Sequence, residues 1–112
     1  MKFEEANIQK AIVQWLQLWK YWFCSIPNEL GGKDAAIRTA RAKTLGLRSG
    51  APDMLVFLNG GKLVCLEVKT PTGKQSDAQI NFQLRLEKCG HEYHVVRSLD
   101  DVIQIFKGGE RK

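Results

Sequence analysis

Cysteine and proline are scarce in this sequence, and it has no long apolar run. The 112 residues include three prolines and three cysteines, Cys24, Cys65 and Cys89. The cysteines lie far apart and form no C-x-x-C motif, so neither a disulfide framework nor a structural zinc site is expected. We expect all three to be buried as small apolar side chains. No apolar run approaches the roughly 20 residues that span a bilayer, so no membrane partner is expected.

The sequence also lacks the basic, apolar start of a secretory signal. Its first residues carry two acids, Glu4 and Glu5, where a signal peptide would carry basic side chains. We therefore expect a cytoplasmic protein.

Composition and charge indicate a basic globular domain. Hydrophobic residues make up 44% and charged residues 26% of the chain, and the length predicts a single domain over residues 1–112. Lysine and arginine number 17 against 12 acidic residues, which gives a net charge of +5. This excess favours a polyanionic partner such as nucleic acid. Charge alone fits a basic protein without such a partner equally well.

The first helix is predicted over residues 4–23, where five apolar side chains recur along one helical stripe. They are Ile8, Ile12, Trp15, Trp19 and Trp22. A buried core is one interpretation of this stripe. A partly exposed stripe that closes a homodimer is the other.

A basic segment follows the first helix. Ile26-Pro27-Asn28 breaks the helix, and Asp34 can cap a second helix that runs to about Leu45. Five basic residues lie between positions 31 and 50: Lys33, Arg38, Arg41, Lys43 and Arg48. They form either a solvated face or a surface that binds phosphates.

The second half of the chain alternates strands and helices. Strands are predicted over 53–58 and 62–69, with Asn59-Gly60-Gly61 as a hairpin turn between them. Both strands are largely apolar on both faces, which favours a sheet covered by helices on two sides. A helix over 77–89 with a Ser76/Gln79 capping box, a strand over 92–97 and a last helix ending at Gly108-Gly109 follow. The predicted order is α, α, β, β, α, β, α, an α/β fold.

The strand that contains L-E-V-K-T carries two charged residues on one face. Side chains alternate along a strand, so Glu67 and Lys69 share a face while Val64, Leu66 and Val68 point to the other. A three-residue hairpin loop would place Asp53 directly opposite Glu67. A two-residue loop would shift the register by one and separate them.

Two adjacent carboxylates repel each other unless a cation lies between them. Ligands that are all oxygen suit a hard ion, Mg²⁺ or Mn²⁺. A nearby lysine could orient a water or neutralise charge on a phosphate. The simpler alternative is a salt bridge between Lys69 and Asp53 or Glu67.

The order of these motifs resembles a known family. A P-D pair followed by E-V-K across a hairpin is similar to the PD-(D/E)XK nuclease superfamily. The wider pattern resembles the stand-alone VRR-NUC domain, the virus-type replication-repair nuclease of phages and bacteria, over roughly residues 5–106. Its pieces are E-x-x-I-Q, I-P-N, G-L-R-S-G-A-P-D, L-E-V-K-T-P-T-G-K and S-x-x-Q. The resemblance implies a restriction-endonuclease-like core, a small mixed β-sheet flanked by helices.

The resemblance also implies roles for particular residues. Asp53, Glu67 and the backbone carbonyl of Val68 would hold Mg²⁺ or Mn²⁺, and Lys69 matches the catalytic lysine. Gln79 matches a glutamine near the metal site, although its predicted capping role also explains it. Glu5, the acid of the first helix, can reach the same site in this family, and Glu4 could serve instead. Glu29 is a further acid without an assigned role.

The predicted function is that of a metal-dependent, structure-specific DNA endonuclease. It is expected to resemble Holliday-junction resolvases, to act as a homodimer and to need no small-molecule cofactor. The expected setting is the cytoplasm of a bacterial or phage-infected cell. Lys74 and the basic segment, including Lys33 and Arg48, would contact the DNA backbone irrespective of sequence. The alternative is a DNA-binding module on the same fold without catalysis.

Overall fold

A mixed four-stranded β-sheet organises the described part of the chain. A computed structural model describes residues 3–27, 44–46 and 48–112. Strands β1 (Trp22–Ser25), β2 (Met54–Phe57), β3 (Leu63–Val68) and β4 (Glu92–Val96) lie in the order β1-β2-β3-β4. The β1–β2 and β2–β3 pairs are antiparallel, and the β3–β4 pair is parallel. The predicted mixed sheet flanked by helices is confirmed.

Three α-helices accompany this sheet in the described residues. They are α1 (Phe3–Leu18), α2 (Asp77–Lys88) and α3 (Leu99–Ile105), and a short 3-10 helix, Lys107–Gly109, follows α3. None of the described helices is long and apolar enough to cross a membrane.

The main core lies between one face of the sheet and helices α1 and α3. It consists of buried apolar side chains from the sheet, from the two helices and from the residues that adjoin them: Ile12, Leu16, Tyr21, Met54, Val56, Leu58, Val64, Leu66, Val68, Val96, Val102 and Phe106. Every second residue of β2 and β3 contributes to it, because side chains alternate between the faces of a sheet. The intervening residues of β3, Cys65 and Glu67, are also buried and point to the opposite face. As predicted, Val64, Leu66 and Val68 face the core and Glu67 does not.

The predicted first helix over 4–23 is too long. Helix α1 ends at Leu18, and Lys20 turns the chain with a φ of 60°. Trp22 therefore lies on β1 and not on a helical stripe. The reason is tertiary: residues 22–25 pair antiparallel with β2, and an apolar, aromatic segment of this kind suits a strand as well as a helix.

Of the three tryptophans, one packs against the core and two are exposed. Trp15 packs against the core and stacks on Tyr21, with ring centroids 5.9 Å apart. Trp19 keeps 43% and Trp22 74% of its surface exposed. The prediction that all three cysteines are buried is wrong for two, since only Cys65 is buried and Cys24 and Cys89 are exposed.

Part of the basic segment lies outside the described residues. The predicted helix from Asp34 to about Leu45 falls almost wholly in the range 28–43. Four candidate DNA contacts also lie outside the described residues, as does Glu29: Lys33, Arg38, Arg41 and Lys43.

The hairpin and the capping box agree with the predictions. Leu58 donates its N–H to the carbonyl of Lys62 at 2.9 Å across a loop of Asn59, Gly60 and Gly61. Helix α2 begins after Ser76, whose hydroxyl accepts the N–H of Gln79 at 3.2 Å. Gly60 and Gly61 both have positive φ values, 89° and 92°, which glycine adopts readily.

Candidate active site

The hairpin register brings the two predicted carboxylates together. Met54 is opposite Leu66 and Val56 is opposite Val64, so the same register places Asp53 opposite Glu67. This is the pairing that the three-residue loop predicts. The Asp53 carboxylate Oδ2 also accepts the backbone N–H of Val68 at 2.7 Å, which holds it beside β3.

Pro52 marks the point where the regular ladder between β2 and β3 ends. In an antiparallel pair, every second pair of opposed residues exchanges backbone hydrogen bonds. Leu58 and Lys62 form one such pair, and the alternation along β2 and β3 continues to Pro52 and Val68. Proline has no N–H to donate to the carbonyl of Val68, so one of the two backbone hydrogen bonds of this pair cannot form. The Val68 N–H bonds to the side chain of Asp53. The P-D dipeptide thus ends the ladder and directs a carboxylate to that position.

Glu67 is a buried carboxylate with only one of its oxygens hydrogen-bonded. It is 1% exposed, and Tyr93 donates its hydroxyl to Oε1. The other oxygen, Oε2, is buried and has no hydrogen-bond partner among the described residues. An unpaired buried polar atom of this kind costs about 1–3 kcal/mol, and more when it carries charge.

The surroundings of Glu67 disfavour its charged form. Burial is the largest effect and raises the pKa of Glu67, whereas the Tyr93 hydrogen bond and the charge of Lys69 lower it. The Asp53 carboxylate raises the pKa further because two like charges repel. The Gln75 amide, as a nearby donor, lowers the pKa of Glu67 by the smallest amount; it donates to Gln83 at 3.0 Å and does not come within normal hydrogen-bond distance of Oε2. A cation beside Oε2 would reverse the balance.

Lys69 follows β3 and is half-buried. Its N–H donates to the carbonyl of Val96 at 3.0 Å, which fixes its backbone to β4. The loop after it is held by Arg97, whose guanidinium donates to the carbonyls of Thr70 at 2.6 Å and Gly73 at 2.7 Å. Strand β4 and the residue after it, Arg97, thus hold the backbone of Lys69 and the loop that leads to Lys74.

Gln79 performs the capping role that its position predicts. Its side-chain oxygen accepts the N–H of Ser76 at 2.8 Å, which completes the capping box of α2. The second role implied by the resemblance, beside a metal, stays a prediction.

Glu5 and Asp53 line one cleft, at the end of the sheet where α1 passes β1. The cleft is also lined by Gln9, Ser25 and Pro27. Among the described residues, no three acidic, histidine or cysteine side chains come close enough together to hold a metal ion. Glu5 thus faces the same cleft without joining the two carboxylates.

Gln9 is a second residue with an unpaired buried atom. Its side-chain nitrogen donates to the Ser25 hydroxyl at 3.2 Å, and its oxygen Oε1 is buried without a partner among the described residues. Gln9 Oε1 and Glu67 Oε2 are the two such atoms found in the described part of the chain. Gln9 shares its cleft with Asp53, which in turn lies opposite Glu67.

The donor set fits a divalent cation. Asp53 and Glu67 offer carboxylate oxygens, Val68 offers a carbonyl that Pro52 cannot satisfy, and all are the hard ligands that Mg²⁺ and Mn²⁺ prefer. The unpaired oxygen of Glu67 is the observation behind this assessment. An ion bound there would stabilise a carboxylate that burial otherwise destabilises.

Sequence reasoning missed Tyr93 and Gln9. Tyr93 is 4% exposed, and its pKa is raised by burial and by the Glu67 carboxylate. Its signal is weak, since only the parallel register, with Cys65 opposite Tyr93, places it on the face of Glu67. Gln9 belongs to the E-x-x-I-Q pattern, but its burial depends on the packing of α1 against β1.

Two candidate DNA contacts, Arg48 and Lys74, are in the described residues and both are exposed. Arg48, together with Gly46 and Ser49, lines a groove against helix α2, and Arg85 lines the same groove from α2. Gly50 anchors this segment: it lies so close to the carbonyl of Ala78 that a side chain would overlap it.

Comparisons with known proteins identify the family of this chain. The model of the VRR-NUC domain family matches residues 3–100. The "Putative nuclease p44" of Acyrthosiphon pisum secondary endosymbiont phage 1 is 40% identical over 53 residues, which are 47% of this chain. The match spans 57% of that relative's length.

Two solved structures share the fold. One, a "VRR_NUC domain", has a TM-score of 0.68 at 24% identity and covers 95% of this chain and 97% of its own. The other, a "VRR_NUC domain protein", has a TM-score of 0.74 at 20% identity and covers 96% and 88%. The fold is therefore of the PD-(D/E)XK type, as expected.

Proposed function

The chain belongs to the VRR-NUC domain family of nucleases, and on this basis we propose that it is a divalent-metal-dependent DNA endonuclease. The observation that carries the proposal is the buried carboxylate of Glu67, with one oxygen unpaired, opposite Asp53. If Glu67 served only in a structural salt bridge, we would expect its buried oxygen to be paired. A nuclease gains from it a ready ligand for a catalytic cation.

The residues of the candidate site have distinct roles in this proposal. Asp53, Glu67 and the Val68 carbonyl would hold Mg²⁺ or Mn²⁺. When bound, such an ion lowers the pKa of a coordinated water and withdraws charge from the phosphate. The Lys69 ammonium orients the attacking water and offsets the negative charge that develops on the phosphate oxygens. Glu5, which lines the same cleft as Asp53, would add a further carboxylate to the cleft, and Gln79 would support the site from α2.

Contacts to the DNA backbone come from the basic surface. Arg48 and Lys74 are exposed, and their charges would attract phosphates of any sequence. Lys33, Arg38, Arg41 and Lys43 would extend this surface. The net charge of +5 supports such a partner.

The substrate is proposed to be branched DNA, cut by a homodimer. A four-way junction offers two symmetry-related strands, and a two-fold dimer presents two sites in matching geometry. Exposed aromatic residues support self-association: Trp22 and Phe57 pack 4.8 Å apart on adjacent strands, 74% and 38% exposed. Aromatic side chains are enriched at the centres of protein interfaces.

A cleavage panel tests the catalytic proposal. Linear duplex, flap, fork and four-way junction DNA are incubated with Mg²⁺, Mn²⁺ or EDTA, and the cut sites are mapped. Asp53→Ala and Glu67→Ala should abolish cleavage and leave DNA binding largely intact, because removal of a carboxylate does not weaken attraction to phosphate. Glu87→Ala, which removes an exposed carboxylate of α2, is the matched control and should cut normally. DNA binding without cleavage under all conditions would favour the non-catalytic module.

Sedimentation at low micromolar concentration tests the dimer. Trp22→Glu should produce a folded monomer if the exposed aromatic pair lies in the interface. Leu84→Glu alters a side chain that is 61% exposed on α2 and should leave the assembly unchanged. A wild-type monomer that cuts both strands of a junction in concert would contradict the proposal.

A further inference from the structure

We propose that Tyr93 is a positioning residue that assigns the two oxygens of Glu67 to different tasks. Its hydroxyl donates a hydrogen bond to Oε1 and leaves Oε2 available to a divalent cation. Glu67 then binds that cation through one oxygen only. The inference rests on the proposed metal site and adds to it a residue outside the P-D and E-V-K motifs.

The geometry of strands β3 and β4 places Tyr93 for this task. The two strands are parallel, and Cys65 is opposite Tyr93 and Glu67 opposite Val95. The Tyr93 side chain leaves β4 on the same face as Glu67 and reaches along the sheet to donate to Oε1. Both side chains are buried, at 4% and 1% exposure, so neither water nor a surface group competes for this contact.

The asymmetry between the two oxygens is the central observation. Oε1 has a protein donor, whereas the buried Oε2 has none among the described residues. A purely structural tyrosine–glutamate pair would not explain why the second oxygen is left unpaired at a cost. A residue held in one orientation for a cation does explain it, because hydrogen bonds to metal ligands fix the ligand and typically change metal affinity 10- to 100-fold when removed.

The test compares two tyrosines that are alike except in position. Tyr93→Phe removes the donor to Glu67. The matched control is Tyr21→Phe, because Tyr21 is also buried, at 7% exposure, and donates its hydroxyl to one acceptor, the carbonyl of Arg111. Tyr21 packs in the main core against Phe106, on the other face of the sheet from Glu67.

The measurement is Mn²⁺ binding to the free protein, by calorimetry and by the Mn²⁺-induced shift in melting temperature, with no DNA present. Tyr93→Phe should weaken Mn²⁺ binding at least about tenfold. Tyr21→Phe should lower the melting temperature equally with and without Mn²⁺ and keep the wild-type dissociation constant. Equal Mn²⁺ affinity in wild type and Tyr93→Phe, or equal losses in the two variants, would overturn the proposal.

A structure of the wild-type protein with Mn²⁺ provides the second measurement and needs no variant to fold. Glu67 should bind the ion through Oε2 alone while Oε1 stays bonded to Tyr93; binding through Oε1 or through both oxygens refutes the inference. A wild-type protein that binds no Mn²⁺ refutes both the site and the role of Tyr93. Mn²⁺ binding through Glu67 that Tyr93→Phe does not weaken refutes only the inference.

Discussion

Replacing Glu67 by glutamine should stabilise the metal-free protein while destroying its metal site. The carboxylate of Glu67 is 1% exposed, and Oε2 has no partner in the described part of the chain. Glutamine has nearly the same shape, can still accept the Tyr93 hydroxyl, and carries no charge. Stability and function are thus opposed at this residue, as expected where a site is built to receive a cation.

The expected gain follows from the cost of the unpaired atom. A buried polar atom without a partner costs about 1–3 kcal/mol, and a charged one costs more. Glutamine keeps an unpaired amide at the same place, so only the difference between charge and amide is recovered, about 1–2 kcal/mol. For a domain of this size that corresponds to a rise in melting temperature of about 4–8 °C in EDTA.

The dependence of the free energy of unfolding on pH distinguishes wild type from Glu67→Gln. Burial raises the pKa of Glu67 in the folded protein above its ordinary value of 4.5. At pH values between the ordinary and the raised pKa, the folded state therefore binds more protons than the unfolded state. The free energy of unfolding of the wild type therefore falls as pH rises from about 4.5 through the raised pKa. The advantage of Glu67→Gln should be small at pH 4 and should widen as pH rises towards 8.

Glu92→Gln is a control of the same chemistry with the opposite sign. Glu92 on β4 binds the guanidinium of Arg111, which together with His94 lowers the pKa of Glu92 to about 2. Its stabilising effect is present above pH 4.5 and is lost as pH falls through about 2. Glu92→Gln should therefore destabilise the protein at neutral pH, by about 1 kcal/mol because the pair is partly exposed to solvent. The difference in stability from the wild type should disappear as the pH falls to about 2.

Urea unfolding in EDTA at several pH values measures both variants, and the Glu67→Gln series is repeated with Mn²⁺. Free ion at 100 times its dissociation constant stabilises the wild type by about 2.7 kcal/mol. This gain should reverse the order of wild type and Glu67→Gln. A Glu67→Gln variant that is no more stable than the wild type in EDTA at neutral pH, or whose stability advantage does not change with pH, would contradict this prediction.

Three further predictions address the elements around the site. Ser76→Ala removes the acceptor of the α2 capping box and should lower the free energy of unfolding by about 1 kcal/mol, measured in urea. Gly50→Ala should cost more than Gly60→Ala, because both glycines have positive φ but only a side chain at position 50 would overlap the carbonyl of Ala78; equal losses would contradict this. Alanine at three basic residues of the predicted second helix should reduce the salt dependence of DNA binding by about 0.9 in log–log slope per lost phosphate contact. These residues are Arg38, Arg41 and Lys43. An unchanged slope would mark them as a solvated face.

Local rules explain most of what the sequence predicted correctly. The Asn59-Gly60-Gly61 turn was predicted from the sequence, and counting residues reduced the pairing of β2 and β3 to two registers. The structure has the register of the three-residue loop, in which Asp53 lies opposite Glu67. The capping box of α2 is equally local, because its two hydrogen bonds join residues three positions apart. The alternation of side chains along a strand is also a local rule, and it correctly predicted that Glu67 lies on the face of β3 opposite to Val64, Leu66 and Val68.

Tertiary structure decided what local rules left open. An aromatic, apolar segment suits either a helical stripe or a strand, and pairing with β2 at residues 22–25 is what ends α1 at Leu18. Which oxygen of Glu67 accepts a hydrogen bond depends on Tyr93, 26 residues later in the chain. That contact exists only because β4 lies parallel to β3 in one register, and the sequence pattern of neither strand specifies the register of the other. The sequence by itself thus determined which acids could face each other. The observed hairpin register brought them together, and the packing of β4 and α1 around them decided which of their atoms remain available to a ligand.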